Sequence, residues 1–397
     1  MKAILSSAPG VPRTTMQHLA TVASSAPRIR SIDALRGLVM LLMLVDHTRE
    51  FFFFHAQVSD PMDLSATPPD LAFTRLTAHL CASVFVLLTG LAAWLYGARK
   101  GGASAFLLKR GLFLIVLELT VVSFAWSFDP TPDIFYLQVI WAIGVAMIAL
   151  AAALHLPRAA LIAVGLTIVL GHNLLDGITV PAGAPGHVVW AVLHDRGLIP
   201  LPWGAQVRTS YPVLPWIGVI MLGYAIGPWF AAAVSSSSRL RRLVVTGVVA
   251  IVLFVILRTA NGYGDPTAWQ AGPDALMTLL SFLNLTKYPP SADFLLLTLG
   301  LGLLLLAGLE RWQGRVSAGL AVFGAAPLFF YLLHLYLLHA LNRTAGLIVP
   351  HDAPLVSAVS VAGLWGIAAL VAIPCWFACR AFAGVKRTSG QWWMRYL

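Results

Sequence analysis

Long apolar runs separated by short polar clusters recur along the whole chain. A helix needs about 20 residues to cross the hydrocarbon layer. The runs at 33–54, 74–98, 106–126, 135–155, 159–176, 212–233, 240–258, 291–309, 318–341 and 356–384 therefore predict about ten spanning helices. The expected fold class is all-α, a polytopic membrane helix bundle. The stretch 275–285 is apolar but too short to span, and reads as an interfacial or re-entrant piece. Residues 1–30 combine Ser, Pro, Thr and basic residues without an apolar run of signal-peptide length. They read as a cytoplasmic basic tail with no cleaved signal, followed by one transmembrane domain over 31–397.

Composition agrees with that pattern. Of 397 residues, 59% are hydrophobic and 11% charged, against roughly 25% charged in a soluble domain. Mean hydropathy is +0.82. A soluble enzyme, a disordered chain and a nucleic-acid-binding domain are excluded, because none could cover a wet surface with so few charges. The net charge of +10 does not argue for nucleic acid, since the basic residues sit in small groups at the ends of runs. With the amino terminus inside, most of the 26 Lys and Arg fall in cytoplasmic segments, among them Arg99, Lys100, Lys109, Arg110, Arg158, Arg239, Arg241, Arg242, Arg311 and Arg315. This bias orients the chain with both termini cytoplasmic. Eleven aspartates, from Asp60 to Asp352, fall in outside segments or at outer helix ends, and the long loops at about 55–73, 177–211 and 259–290 fall outside. The three cysteines lie in apolar runs and form no disulfide or metal framework.

Ionisable residues inside spans are costly and face the bundle or a wet cavity. At 1.5 Å per residue, His47 lies roughly 21 Å into a hydrocarbon core about 30 Å thick. His79, His172 and His334 fall at a similar outer level on three other expected spans, which predicts a histidine layer there. The densest polar segment is Asp46-His47-Thr48-Arg49-Glu50, followed by four Phe residues and His55. Asp46 and Arg49 share a helical face and can pair. Asp46 and Glu50 repel, so a cation is expected between them. A carboxylate beside an imidazole fixes its tautomer and raises its basicity, as a general base requires; Asp46 is the candidate for that role on His47. An outer helix end with an aromatic belt accounts for the Phe residues, but not for Asp46 and His47 one turn deeper. Glu118, within the third span, is either a paired structural acid or part of the polar path.

Two further clusters stand at opposite faces. Outside, Ser59-Asp60-Pro61-Met62-Asp63 is a turn with two carboxylates, able either to cap the second span or to bind a polyhydroxylated acceptor. Inside, Asp33 and Arg36 open the first span, and Lys100, Lys109 and Arg110 flank Gly101-Gly102. These basic residues are either membrane anchors or a phosphate site. No metal site is expected, because the histidines are not at ligand spacing within one helix.

Several ordered blocks carry a resemblance: Arg-Ser-Ile-Asp-Ala-Leu-Arg-Gly at 30–37, Asp46-His47, Asp60-Pro61-Met62-Asp63-Leu64, and His79-Leu80-Cys81-Ala82-Ser83. To these add Tyr211-Pro212-Val213-Leu214-Pro215-Trp216, Thr286-Lys287-Tyr288-Pro289-Pro290, and Phe323-Gly324-Ala325-Ala326-Pro327 through His334. From about residue 28 to 345 the chain resembles bacterial relatives of the heparan-alpha-glucosaminide N-acetyltransferase family. The resemblance implies a transmembrane acyltransferase domain over 31–397 in a bacterial inner membrane. Acetyl-CoA would be supplied from the cytoplasm, and an amino sugar or envelope glycan acetylated on the far side. Eukaryotic members use a histidine soon after the first span and an Asn at its outer end. By position His47 stands where that Asn stands, and His55 is the nearest match to the histidine.

On this reading the catalytic candidates are His47, His55, Asp46, His79 and Arg49, the last as an oxyanion donor. Arg36, Lys100, Lys109 and Arg110 would hold the acyl-CoA, and Asp60, Asp63, Lys287 and His334 the acceptor. An extended pantetheine arm of about 20 Å, by bond geometry of the kind in, matches the rise from Arg36 to the His47 level. The histidine serves either as general base or as a nucleophile forming an acetyl-imidazole. No nucleic acid is expected as a partner; the lipid bilayer is, and a homodimer is left open. The other classes are a proton-coupled transporter of a polar solute, a structural membrane subunit, and an O-acyltransferase of the same superfamily.

Overall fold

A computed structural model describes residues 29–349, 355–389, 391 and 394. The basic tail expected over 1–30 lies outside the described residues except for its last two. Each of the ten expected intervals holds helix. Five helical stretches are long and apolar enough to cross a membrane: Pro69–Lys100, Arg158–Leu175, Ser236–Ala260, Ala292–Arg311 and Val361–Thr388. A bent pair, Arg315–Gly324 with Pro327–Gly346, makes a sixth when taken as one span.

The first helix, α1 (Arg30–Phe52), is the axis of the bundle. It carries Asp33, Arg36, Asp46, Arg49 and Glu50, so it is not uniformly apolar, yet most of its residues are buried. A charged helix in that position is tolerable only because its neighbours supply partners. The helix α2 (Pro69–Thr77) supplies Arg75 to Asp46, and α3 (His79–Lys100) follows it. After these come α4 (Ala103–Leu117), a π turn at Glu118–Val122, and α5 (Ser123–Ser127). The chain continues through β1 (Ile134–Leu137), α6 (Val139–Ala153), α7 (Arg158–Gly171), α8 (His187–Leu193), β2 (Leu198–Pro200), β3 (Gln206–Thr209) and α9 (Leu214–Ala225). Then follow α10 (Ser236–Ala260), α11 (Ala275–Leu283), α12 (Ala292–Arg311), α13 (Arg315–Gly324), α14 (Pro327–Gly346) and α15 (Val361–Thr388).

Glycine pairs set the closest helix contacts. A Cβ on Gly37 would lie 1.9 Å from the Leu320 carbonyl, and one on Gly324 would lie 1.8 Å from that of Asp33. The backbones of α1 and α13 therefore touch. Gly90 and Gly223 do the same for α3 and α9, where added Cβ atoms would meet Ile220 O and Leu87 O, each at 2.1 Å. Lipid offers no hydrophobic drive to pair helices, so such small-residue contacts carry the packing. The outer surface is correspondingly apolar: α10 exposes Val245, Val249, Val252 and Ile256.

Two expectations are corrected. The run at 318–341 is not one straight span: α13 and α14 meet at 81°. The chain breaks at Ala325–Ala326, and Pro327 opens α14, where a missing N–H costs nothing. The depth of His334 counted along a straight helix therefore does not hold. The run at 135–155 begins as strand, with helix only from Val139. The helical fold is consistent with the all-α expectation; beside the helices stands one small three-stranded sheet in the order β1-β3-β2, parallel between β1 and β3 and antiparallel between β2 and β3. The apolar stretch at 275–285 forms α11, capped by Asp274, whose side chain accepts from Met277 N. It packs Leu280 against Met62 and Ala72 and exposes Leu276 and Leu279.

Candidate active site

The carboxyl end of α1 is fastened from several sides. Its terminal carbonyls have no helical partner of their own. Asn342 Nδ2 donates to Phe51 O at 2.9 Å, and Ala358 N donates to Phe52 O at 2.6 Å. The loop after α1 is clasped to the loop before α12, because the Asn284 side chain pairs with both the N–H and the C=O of Met62, at 2.9 and 2.7 Å. The small sheet closes the remaining side.

Between these elements lies a cavity of about 630 Å³. Asp46, His47, Arg49 and Glu50 line it from α1, Asp60 and Arg75 from the next segments, and Glu118 and Trp126 from the π turn and α5. Tyr136 and Arg208 contribute from the sheet, and Arg196, Tyr211 and Tyr288 from loops. Tyr136 and Arg208 are register partners on β1 and β3, so they share one sheet face. Arg196 lies over the Tyr288 ring, 4.9 Å from its centroid, and the Tyr288 and Tyr211 hydroxyls are 3.1 Å apart.

Asp46 is held by cations. Arg75 Nη1 donates to both its oxygens at 3.2 Å, Arg49 Nε donates at 3.3 Å, and Lys287 Nζ stands 3.9 Å away. Arg49 also donates to Glu50, so it fills the place between the two carboxylates. Arg49 Nη1 and Arg75 Nε are buried and make no hydrogen bond among the described residues. Asp46 therefore does not orient His47 in this structure. The His47 ring is bonded instead to His334: Nδ1 and Nε2 are 2.7 Å apart, and His334 Nδ1 lies 2.7 Å from Phe330 O, one turn back on α14. Trp126 and Tyr331 stand edge-on to the His47 ring, at 5.1 and 5.9 Å between centroids.

Of the expected layer of four histidines, His47 and His334 pair, while His79 and His172 stand apart. His79 is buried with its ring against Phe294 and does not line the cavity. His172 lies within hydrogen-bond distance of Ile168 O and Pro290 O, a clamp between segments. His55 is exposed, its ring 4.4 Å from that of Phe53, beside the cavity but outside its lining. Asp60 Oδ2 accepts from the Lys287 backbone N–H at 3.1 Å, and burial raises its carboxyl above the ordinary range. Asp63 is exposed and accepts from Ser65 N and Oγ, bonds that hold its carboxyl below the ordinary range. It caps a turn and does not line the cavity.

Glu118 Oε2 accepts from Trp141 N at 3.0 Å, at the start of α6. A carboxylate there is favourable to the helix dipole, and the π turn is what brings it round. Arg75, Trp126, Arg196, Arg208 and Tyr288 were not singled out as site residues in the sequence. Tyr288 has a signal in its neighbour, since it follows Lys287 in the Thr286–Pro290 segment; Arg75 and Arg208 carry no local signal.

At the other end of α1 a second cavity, of about 240 Å³, is lined by Ile29, Ile32, Asp33 and Arg36 with Ala92, Leu95, Tyr96, Arg99 and Lys100. Arg36 donates to Asp33 at 3.1 Å and to Gly324 O at 3.2 Å. Lys109 is exposed and Arg110 lies over Phe106; neither lines this cavity. The two cavities share no lining residue. Buried Val39, Met40, Met43 and Leu44 fill the intervening stretch of α1.

A bundle with apolar helices of membrane-spanning length, whose charged central helix brings His47 to the wall of a cavity lined by charged and aromatic side chains, marks an integral membrane protein. The family comparison is more specific. The catalytic domain of heparan-alpha-glucosaminide N-acetyltransferase matches residues 28–259. The chain belongs to that family, and so to an acyltransferase enzyme family. The match includes Asp46, His47 and Arg75 and ends before Lys287 and His334. No curated protein matches the chain.

Proposed function

We propose that the protein transfers an acetyl group from acetyl-CoA on the cytoplasmic side to an amino sugar or envelope glycan on the outer side of a bacterial inner membrane. In this reading residues 31–397 form one transmembrane acyltransferase domain. Its ten helical segments all cross the membrane, and both termini are cytoplasmic. The basic Arg36–Arg99–Lys100 cavity takes the nucleotide of the donor, and the larger cavity takes the acceptor. His47 is the base or nucleophile.

The observation that carries the proposal is that both cavities lie on one helix. Arg36 and His47 are eleven residues apart on α1, a rise of about 16 Å. A pantetheine arm of about 20 Å spans that distance while the polyanionic nucleotide stays at the basic end. The arm must part the packed layer around Met40 and Met43, so donor binding is coupled to a local opening. Asp60 and the Tyr136–Arg208 wall offer the acceptor hydrogen bonds, charge and an aromatic surface, while Lys287, outside the lining, stands 3.9 Å from Asp46.

The test uses purified protein in lipid nanodiscs. Acetyl-CoA raises the melting temperature of the native protein, and Arg36→Ala weakens that shift. Labelled acetyl appears on glucosamine, and His47→Ala abolishes the transfer. An acyl-CoA that shifts nothing, together with no transfer to any amino sugar, overturns the reading.

A further inference from the structure

We infer that His334 is a positioning residue for His47: it accepts the Nδ1 proton of His47 and so leaves Nε2 as the nitrogen that carries the lone pair. The inference rests on the reading of His47 as the reacting group.

The geometry fixes the direction of the hydrogen bonds. The two rings are within 9° of parallel, with centroids 5.0 Å apart and nitrogens 2.7 Å apart. Stacked rings cannot bring ring atoms much closer than about 3.5 Å. The rings therefore meet edge to edge in a shared plane, which is where an imidazole lone pair points. His334 Nδ1 faces the Phe330 carbonyl at 2.7 Å, and a carbonyl oxygen can only accept. Nδ1 of His334 therefore carries a hydrogen. The ring is fully buried, and no described carboxylate bonds to it. A charged imidazolium there would be costly, so His334 is neutral and its Nε2 has only a lone pair to offer. His47 Nδ1 must then be the donor, and His47 Nε2 is left bare.

The surroundings hold that arrangement. Trp126 and Tyr331 press edge-on against the His47 ring, and Phe330 lies 4.9 Å from the His334 ring. Neither imidazole can turn about its plane without meeting an aromatic neighbour. The Asp46 carboxylate, next in sequence, is occupied by Arg75 and Arg49.

Both routes open to His47 use the same nitrogen. As a base, Nε2 takes a proton from the acceptor amine while the amine nitrogen bonds the acyl carbon and the carbon–sulfur bond breaks, the sulfur leaving with the bond's electron pair as coenzyme A thiolate. As a nucleophile, Nε2 itself bonds the acyl carbon, the thiolate leaves with the same electron pair, and the acceptor amine later displaces the imidazole. In either case positive charge develops on the His47 ring, and the Nδ1–H bond to His334 shares it.

The experiment compares His334→Gln, His334→Asn and His334→Leu with the native protein in nanodiscs, using acetyl-CoA and glucosamine. A Gln side-chain oxygen can stand where Nε2 stands, whereas an Asn side chain reaches only to the Nδ1 position. Leu and Asn lower kcat by about 10²–10³-fold, within the range for a lost acid–base contribution, and leave the KM for acetyl-CoA within about 3-fold. Gln keeps kcat within about 10-fold of native. A second readout needs no turnover: carbethoxylation of His47 by diethyl pyrocarbonate, followed by peptide mass spectrometry, slows several-fold in Leu and Asn but not in Gln. Equal behaviour of Asn and Gln, or unchanged carbethoxylation across all four proteins, overturns the inference. Absent transfer in the native protein would sink the parent reading alone, because carbethoxylation still decides the tautomer.

Discussion

Arg75, from the short helix before α3, reaches both carboxylate oxygens of Asp46 on α1 at 3.2 Å, and both side chains are largely withdrawn from water. This pair joins the central helix to the first outer segment beside the candidate reacting group. Removing one partner of a buried pair leaves the other charge uncompensated, which costs more than the pair is worth. Arg49 and Lys287 remain near Asp46 and soften the loss. Arg75→Ala should therefore destabilise the fold by about 1–3 kcal/mol, and Asp46→Asn in the same background should recover part of it. A double-mutant cycle on thermal unfolding in detergent measures the coupling; additive effects would refute it.

The histidines give a direct contrast. His47→Ala should cost at least about 10²-fold in kcat if it serves as base or nucleophile. His55→Ala, at an exposed position outside the cavity lining, should cost less than about 10-fold. Acetyl-transfer kinetics on both variants decide which residue does the chemistry, and the reverse order would move the site to the loop.

The cavity at the amino-terminal end of α1, proposed for the donor, makes a similar distinction between two lysines. Lys100 lines it and Lys109 does not. A lost charged hydrogen bond to phosphate is worth about 1.5–3 kcal/mol, so Lys100→Ala should weaken acetyl-CoA binding by roughly tenfold or more. Lys109→Ala should leave it unchanged. Isothermal titration with acetyl-CoA reads both.

Packing at the glycine contacts can be tested without any ligand. Gly37→Ala places a methyl 1.9 Å from Leu320 O, and forcing α1 and α13 apart should cost about 1–3 kcal/mol or more. Gly319 is also helical on α13, yet a Cβ there meets nothing within 4 Å. Gly319→Ala should be neutral or stabilising by up to about 1 kcal/mol. Melting temperatures that fall equally in both variants would argue against a backbone contact.

The apolar runs and the placement of basic residues were enough to read a helical membrane bundle. They were enough because the period and length of a run depend only on local sequence and on the thickness of the bilayer. The Asp46–Glu50 segment stands out in the sequence for the same reason: charges are conspicuous where apolar residues are the rule. The cavity at the amino-terminal end of α1 was half legible. Arg36 and Lys100 face it, while Lys109 and Arg110, just past the Gly101-Gly102 turn, emerge outside it. A turn's exit direction is not written in its charge pattern.

Which groups meet was decided only by the tertiary structure. Asp46 and His47 are neighbours in sequence, so a carboxylate–imidazole couple was the natural expectation. Successive residues on a helix point about 100° apart, and Asp46 turns to Arg75 while His47 turns to His334. The partner of His47 lies beyond a sharp break between α13 and α14 that a hydropathy pattern passes over, since both halves are equally apolar. Arg75 on α2, Arg208 on β3, and Arg196 and Tyr288 on loops likewise gain their place from segments that close on one another, through contacts as distant in sequence as Asn284 and Met62. Sequence determined the helices and their solvent because those follow from short-range geometry and transfer energy. The cavity and its imidazole pair are products of long-range packing, which no local pattern encodes.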